Sequence, residues 1–148
     1  MITLYPMGAD DAALLEDSPY SAMTLETMQQ MLSASAAKTH NGNYFQLLAV
    51  MDGSVCVGFI NFCGQGEEIS CAPDIKPQFR KRGFGTAAVS LALEYAKTLG
   101  YTKAAAQVRQ DNTASIALHR KLGFSLVSEF VNRKGQPVYA FEKAIENR

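Results

Sequence analysis

The sequence has no tryptophan, few cysteines and no excess of charge of either sign. Its 14 lysine and arginine residues balance 14 aspartate and glutamate residues, so the formal net charge is zero. A chain without net positive charge is a poor match for nucleic acid or an anionic membrane as its main partner. No apolar run is long enough to span a membrane, and the N-terminus does not resemble a signal peptide. We therefore expect a cytoplasmic protein.

The three cysteines, Cys56, Cys63 and Cys71, are odd in number and show no Cys-x-x-Cys spacing. This pattern predicts buried free thiols in a reducing compartment and no metal site. The length of 148 residues and the 47% of hydrophobic residues are typical of one globular domain, which we expect to span residues 1–148.

A glycine-containing segment in the middle of the chain is the most informative stretch. Three cations precede two glycines there, and an apolar periodic run follows. The segment reads Arg80, Lys81, Arg82, Gly83, Phe84, Gly85, Thr86. Glycine lets the backbone approach a ligand closely, and the first amides of a helix have no acceptor and carry partial positive charge. The segment therefore predicts an anion site, most often for a phosphate or pyrophosphate.

The same glycines fit a second motif less well. Gly83-x-Gly85-x-x-Ala88 matches the dinucleotide fingerprint, which should directly follow an apolar strand and precede an acidic residue by about 20 positions. The preceding segment is polar and contains Pro77, and Gln107 stands near the place expected for the carboxylate. A nucleotide-dependent oxidoreductase is therefore the weakest interpretation.

Hydrophobic periodicity and turn residues predict an order of strands and helices. The predicted strands are 2–5, 44–51, 55–62, 67–75, 103–108, 124–132 and 137–143, and the predicted helices are 10–17, 24–37, 84–99 and 112–122. Pro73 lies inside the fourth strand and cannot donate a ladder hydrogen bond, so it predicts a bulge or splay there. The fourth and fifth strands are joined through a helix and should run parallel.

Two motifs in this order resemble the GNAT superfamily of N-acetyltransferases. Arg80-x-x-Gly83-x-Gly85 is similar to that family's acyl-CoA pyrophosphate loop, and the segment from Asn112 to Phe124 is similar to its Asn-x-x-Ala/Ser…Lys-x-Gly-Phe segment. The resemblance implies an α/β fold with a mixed sheet. That sheet would be mostly antiparallel, with flanking helices and a parallel, splayed pair formed by the fourth and fifth strands. Residues 10–43 carry no resemblance; in this family they shape acceptor specificity.

The resemblance also implies an activity and a cofactor. We expect transfer of an acetyl group from acetyl-CoA to a primary amine of a small molecule or peptide, by direct attack in a ternary complex. The residues expected to contact the coenzyme are Ile75, Lys76, Arg80, Lys81, Arg82, Gly83, Phe84, Gly85, Thr86, Asn112 and Ser115. An amide at Ile75 or Lys76 would stabilise the negatively charged oxygen. The plainer alternatives are a glycine turn with solvated cations and a helix cap at Asn112.

The residues for proton transfer stay open at this point. Glu68 and Asp74 are candidates for the general base, and strand alternation places them on one face unless Pro73 forms a bulge. A chain of water molecules is the alternative. His119 stands where the family often has a tyrosine that protonates the leaving thiolate; it either replaces that acid or is a helix residue without such a role.

The main rival function is a module of the same fold that binds acyl-CoA without turnover. The absence of a tyrosine at position 119 and of an evident base supports this rival. The resemblance also implies a homodimer, although no surface for it is evident in the sequence.

Overall fold

The computed structural model describes residues 1–145, apart from the side chain of Pro19. Within them the strands are β1 Ile2–Pro6, β2 Thr39–His40, β3 Asn43–Asp52, β4 Val55–Gln65, β5 Glu68–Ile75, β6 Lys103–Arg109, β7 Ser125–Val131 and β8 Pro137–Ala144. The α-helices are α1 Leu25–Ala37, α2 Phe84–Thr98 and α3 Thr113–Lys121. Short 3₁₀ turns cover Ala12–Leu15, Pro19–Ala22 and Pro77–Phe79.

The strands form one sheet in the order β1-β3-β4-β5-β6-β8-β7, with β2 paired to β3. Every neighbouring pair is antiparallel except β5 and β6, which are parallel. The predicted mixed α/β fold is confirmed. Because β2 was not foreseen, the predicted fourth and fifth strands are β5 and β6.

Each face of the sheet buries its own apolar cluster. The α1 face carries Phe45, Leu47 and Phe59, which pack with Leu32 of α1. The α2 face carries Leu48, Ile60, Phe62 and Ile69, which pack with α2. Since directly paired residues of neighbouring strands share a face, the register assigns every residue of the sheet to one of these two faces.

Small side chains allow α2 to lie close to the sheet. Ala88, Ala92 and Ala96 are fully buried, and their spacing by four places them on one side of the helix. Near the C-terminal end of α2 the ring of Tyr95 stacks on Phe62 with 5.1 Å between the centroids. This packing fixes the direction of α2, and therefore the position of its N-terminus beside the end of β5.

Several local expectations were wrong. The predicted helix at residues 10–17 is replaced by the 3₁₀ turn Ala12–Leu15, which follows a tight turn where the Asp11 carboxylate accepts from the Gly8 amide at 2.7 Å. Cys63 is exposed, whereas Cys56 and Cys71 are buried as expected. Of the bulge or splay predicted at Pro73, the bulge is absent, because the register between β4 and β5 runs without a shift through the pair Ile60–Pro73, whereas the splay is present, since the pairing of β5 with β6 ends at Ser70.

Candidate functional site

The parallel strands β5 and β6 separate soon after they meet. Their pairing consists of three residue pairs, which end at Ser70 and Ala105. Beyond that point β5 stays with β4 as far as Ile75, and β6 stays with β8 as far as Arg109. The sheet therefore opens into a wedge-shaped cleft.

The cleft is a cavity of about 440 Å³ whose walls come from β5, β6 and α3. The lining residues are Glu68, Ser70, Ala72, Pro73, Ala105, Ala106, Gln107, Val108, Arg109, Asn112, Ser115 and His119. A cavity of this size lies within the range typical of small-molecule sites.

Hydrogen-bond alternation in the antiparallel pair of β4 and β5 determines which amides face the cleft. The Lys76 amide donates to the carbonyl oxygen of Val57 at 2.8 Å, so it belongs to the sheet. Counting back along β5, the amides of Cys71 and Ile75 and the nitrogen of Pro73 point away from β4, toward the cleft. Pro73 has no hydrogen to offer there, which is consistent with the parallel ladder ending at Ser70.

This geometry separates two residues that the sequence grouped together. The Ile75 amide points away from β4, to the side on which the cleft opens, although Ile75 itself does not line the cavity. Lys76 has its amide engaged and its side chain on the α1 face, with Nζ 5.8 Å from the ring centroid of Phe59. The expectation that Lys76 offers its amide to the acyl oxygen is wrong, because that amide already has an acceptor. Its side chain also points away from α2, and so from the cationic loop of residues 80–83 that precedes this helix.

The cationic loop leads directly from β5 into α2. Lys81 and Gly83 both have left-handed backbone conformations, with φ of 64° and 81°. For a lysine this conformation costs about 1–2 kcal/mol, and such strain is concentrated at functional sites. The first helical bond joins the Ala87 amide to the Gly83 carbonyl oxygen at 3.1 Å. The amides of residues 84–86 precede it and have no acceptor within the helix.

Arg80 ties this loop to the end of β5, since its Nε donates to the Ile75 carbonyl oxygen at 3.0 Å. The three cations of the loop, Arg80, Lys81 and Arg82, are exposed. Exposed cations around helix amides that have no acceptor within the helix are an arrangement that suits an anion approaching from solvent.

Gly85 lies in the first turn of α2, close to side chains of α3 and β5. A Cβ added there would lie 3.1 Å from Cδ1 of Leu118 and 3.6 Å from Cγ1 of Ile75. The first distance is shorter than an ordinary packing contact, so a side chain at this position requires the end of the Leu118 side chain to move by a few tenths of an ångström. Glycine avoids this crowding, although its φ is not in the left-handed region.

The N-terminus of α3 forms the far wall of the cleft. Asn112 caps the helix, because its side-chain oxygen accepts from the Ser115 amide at 3.1 Å. Ser115 and His119 follow on the side of α3 that lines the cavity. The capping role considered for Asn112 is present, and its position on the cavity wall leaves a contact with a ligand available.

His119 is buried, with 3% of its surface exposed. Its Nδ1 lies 2.8 Å from the Ser115 carbonyl oxygen, and its ring stacks on Phe141 with 6.1 Å between the centroids. A carbonyl oxygen only accepts, so Nδ1 carries the hydrogen and Nε2 of the neutral ring is an acceptor. Burial lowers the pKa of His119 below 6.5, although the bond to Ser115 opposes this change.

A second polar group lies where the wide part of the cleft meets the α1 face. Asp74 pairs with Phe59 across β4 and β5, so both lie on that face. Burial raises the pKa of Asp74 above 3.8, with the nearby charge of Arg80 opposing the shift. Tyr20 packs edge-on against Phe59 at 5.3 Å, and Asn61 lies near it, two positions after Phe59 on the same face of β4.

The pKa of Tyr20 is raised above 10.0, first by burial and then by the negative charge of Asp74. Sequence reasoning did not single out Tyr20 or Asn61. The parity of β4 could have placed Asn61 on the face of Phe59, but no local signal brings Tyr20 to the sheet from a loop about 40 positions earlier.

Glu68 lies at the narrow end of the cleft. It is on the same face as Asp74, as alternation predicts, but six residues along β5 correspond to about 20 Å. Lys103 on the paired strand holds Glu68 at 3.4 Å and Glu142 at the same distance. The structure therefore does not bring the two candidate bases together: Asp74 is near the loop, and Glu68 is in an exposed ion-pair network.

Comparison with known proteins decides the family. A model of the acetyltransferase (GNAT) domain matches residues 2–125. The chain belongs to the GNAT acetyltransferase family. This confirms the resemblance drawn from the two sequence motifs. No curated protein matches the chain in sequence.

Solved structures show the same fold at low sequence identity. An N-acetyltransferase from Staphylococcus aureus Mu50 superposes with a TM-score of 0.80 at 15% identity, over 99% of each chain. A chimera of the Vibrio cholerae spermidine N-acetyltransferase SpeG and hSSAT gives 0.81 at 17% identity, over 96% of this chain and 95% of that one. A putative acetyltransferase from Salmonella typhimurium, solved with its cofactor acetyl-CoA, superposes with a TM-score of 0.74 at 16% identity, over 99% of this chain and 95% of that one.

Two other kinds of site are absent from residues 1–145. None of their helices combines the length and hydropathy needed to cross a membrane. No three histidine, cysteine or acidic side chains among them are grouped in a way that could hold a metal ion.

Proposed function

We propose that this GNAT family member is an N-acetyltransferase that moves an acetyl group from acetyl-CoA to a primary amine by direct attack in a ternary complex. The observation that carries the proposal is the cleft between β5 and β6. The Ile75 amide points to the side on which the cleft opens, and the helix amides of the phosphate loop lie at its mouth. The whole of residues 1–148 would form the catalytic domain.

The residues present fit the coenzyme. The amides at the start of α2 have no helical acceptor, and the exposed cations Arg80, Lys81 and Arg82 surround them, which suits a pyrophosphate. The absence of a Cβ at Gly85 keeps the loop and α3 close without a clash. Asn112 and Ser115 line the opposite wall, where polar groups suit the amide-containing arm of the coenzyme. Acetyl-CoA supplies the activated acetyl group as a thioester.

The chain itself would supply orientation and a proton acceptor. The Ile75 amide is the donor available to an acyl oxygen in the cleft, and a preorganised donor of this kind contributes about 2.7–4 kcal/mol to transition-state stabilisation. We assign Asp74 as the base, because its side chain is half-buried near the loop and burial raises its pKa above 3.8. Tyr20 and Asn61 lie around Asp74 on the α1 face and would orient the amine. Glu68 is not assigned this role, since Lys103 holds it at the narrow end of the cleft.

Two observations favour the rival function, a module that binds acyl-CoA without turnover. Pro73 removes one of the amides that would face the cleft, and His119 presents an acceptor at Nε2 where a general acid would need a hydrogen. This second candidate predicts tight binding of acetyl-CoA without release of CoA when amines are added.

An acetylation assay tests the proposal. The protein is incubated with acetyl-CoA and a panel of primary amines that includes amino acids, polyamines, aminoglycosides and short peptides. Release of free thiol and formation of the N-acetyl product by mass spectrometry are the expected results. Binding of acetyl-CoA with no product from any amine would favour the rival module. The homodimer and the cytoplasmic location stay predictions.

A further inference from the structure

A largely buried lysine that makes no ion pair within residues 1–145 lies on the α1 face, two positions from Asp74. Lys76 has 8% of its surface exposed, and its ammonium lies 5.8 Å from the ring centroid of Phe59. No carboxylate in residues 1–145 lies within 4.0 Å of its Nζ. No fully buried side-chain nitrogen or oxygen of these residues lacks a hydrogen-bond partner, so the ammonium of Lys76 still reaches solvent at this face. Lysine is seldom this deeply buried without a counter-ion, because removing its charge from water is costly.

Lys76 is rigidly held and is not part of the phosphate loop. Its amide is bonded to Val57 at 2.8 Å, which fixes the direction in which the side chain leaves the strand. That direction is toward the α1 face, whereas the loop leads into α2 on the other face. The negative groups of the coenzyme therefore do not account for this cation.

Asp74 lies near Lys76 and carries the opposite charge. Both side chains leave the same face, two positions apart, so their Cα atoms are about 7 Å from one another. Neither is in an ion pair within 4.0 Å in the described part of the chain, and so the two charges do not neutralise each other. The ring of Phe59 contacts both Lys76 and Tyr20. These three side chains and Asp74 therefore lie together on the α1 face.

We infer that the acceptor is a free amino acid, whose ammonium is bound at Asp74 and whose carboxylate is bound at Lys76. This inference rests on the proposed acetyl transfer and specifies the acceptor. A zwitterion supplies each of the two side chains with an ion-pair partner, which neither has within 4.0 Å among residues 1–145. Polyamines and the N-termini of long peptides lack the carboxylate and leave Lys76 without a partner.

Matched acceptors test the assignment. Each of the twenty proteinogenic amino acids is compared with its own amide, which keeps the amine and side chain but loses the negative charge. We expect at least one amino acid to have a kcat/KM about 10- to 100-fold above its amide, the range for a charge-assisted hydrogen bond. Equal or better turnover of the amides, or of C-terminally amidated peptides, would overturn the inference and leave acetyl transfer intact.

Substitutions of Lys76 test whether this residue causes the preference for an amino acid over its amide. Lys76→Met keeps the apolar stem and removes the charge, so the ratio of kcat/KM for the amino acid to that for its amide should fall to about one. Lys76→Arg should retain a preference. Lys134→Met, in the exposed turn between β7 and β8, is the matched control. A preference that survives in Lys76→Met overturns the inference. Circular dichroism and thermal unfolding establish that each variant is folded, and Lys76→Gln replaces the methionine variant if that one is not.

A binding measurement separates this inference from the proposed activity. N-acetyl amino acids and their amides are titrated into the protein with CoA present, by isothermal calorimetry. Should the protein turn over no amine, the proposed activity fails, but a carboxylate-dependent affinity that Lys76→Met removes still supports the site. Equal affinity for the acids and their amides overturns it.

Discussion

The Nδ1 atom of His119 lies 2.8 Å from the carbonyl oxygen of Ser115, one helical turn earlier in α3. The bond assigns the hydrogen of the neutral ring to Nδ1, and burial lowers the pKa of the ring below 6.5. At neutral pH the residue is therefore uncharged and has no hydrogen on Nε2. The tyrosine that the family often has at this position differs, because its hydroxyl carries a hydrogen that can be donated.

His119 should make the protein less stable in mild acid. The folded state binds the proton less readily than the unfolded chain, so the free energy of unfolding should fall as pH drops below about 6.5 and be fully retained above that value. His119→Phe should weaken this pH dependence, as measured by urea unfolding between pH 5 and 8. His40→Phe, which removes the other histidine, is the control. An unchanged slope in His119→Phe would contradict the assignment.

Asp74 should be needed for turnover and Glu68 should not. Asp74→Asn should lower kcat by about 10²- to 10⁴-fold, which is the usual contribution of a general base. Because the pKa of Asp74 is raised above 3.8, wild-type kcat should decline on the acidic side through the pKa of that carboxyl, and the variant should lose this dependence. Glu68→Gln is a matched control from the same face of the same strand. A larger loss in Glu68→Gln than in Asp74→Asn would reverse the assignment.

Gly85→Val should impair coenzyme binding more than folding. The new side chain would contact Leu118 and Ile75, and overpacking of this kind typically costs about 1–3 kcal/mol. The displacement of Leu118 or of the loop should weaken acetyl-CoA at least tenfold in a calorimetric titration. Ser90→Val, on the exposed side of α2, provides the control for a β-branched residue in that helix. Unchanged affinity in Gly85→Val would mean that the coenzyme does not use this end of α2.

Tyr20→Phe should affect the amine and not the coenzyme. The variant keeps the ring against Phe59 and removes the hydroxyl, which is near Asn61 and Asp74 and would be available to hydrogen-bond with the amine. One neutral hydrogen bond corresponds to about 1 kcal/mol, so the KM of the amine should rise about three- to tenfold. The KM of acetyl-CoA should stay the same. Tyr5→Phe removes a hydroxyl that bonds with Asp11 far along the sheet edge, and it should alter neither constant. Equal effects on both substrates in Tyr20→Phe would argue against an acceptor site on the α1 face.

Local patterns predicted the parts of this molecule that depend on neighbouring residues. The glycines and the apolar period predicted α2 and the loop before it, and Asn112 predicted the start of α3. The strand β2 was missed, because two exposed residues pair there with β3 and show no period.

Contacts between distant segments were not predictable in the same way. Tyr20 reaches Phe59 from a loop whose path depends on the whole α1 face. The direction of Lys76 was in principle available from the sequence, because neighbouring residues of a strand point to opposite faces. Grouping Lys76 with Ile75 ignored that alternation. The separation of β5 from β6 needed the sheet order as well as Pro73.

Thermal unfolding with separate additions of acetyl-CoA, CoA and NADPH tests the account most directly. A ligand at a hundredfold excess over its dissociation constant adds about 2.7 kcal/mol to the free energy of unfolding. For a domain of this size that corresponds to a rise in Tm of about 5–10 °C. We predict this rise with acetyl-CoA and with CoA and none with NADPH. No rise with either coenzyme A species, or a rise with NADPH alone, would contradict a coenzyme A site at the cleft between β5 and β6.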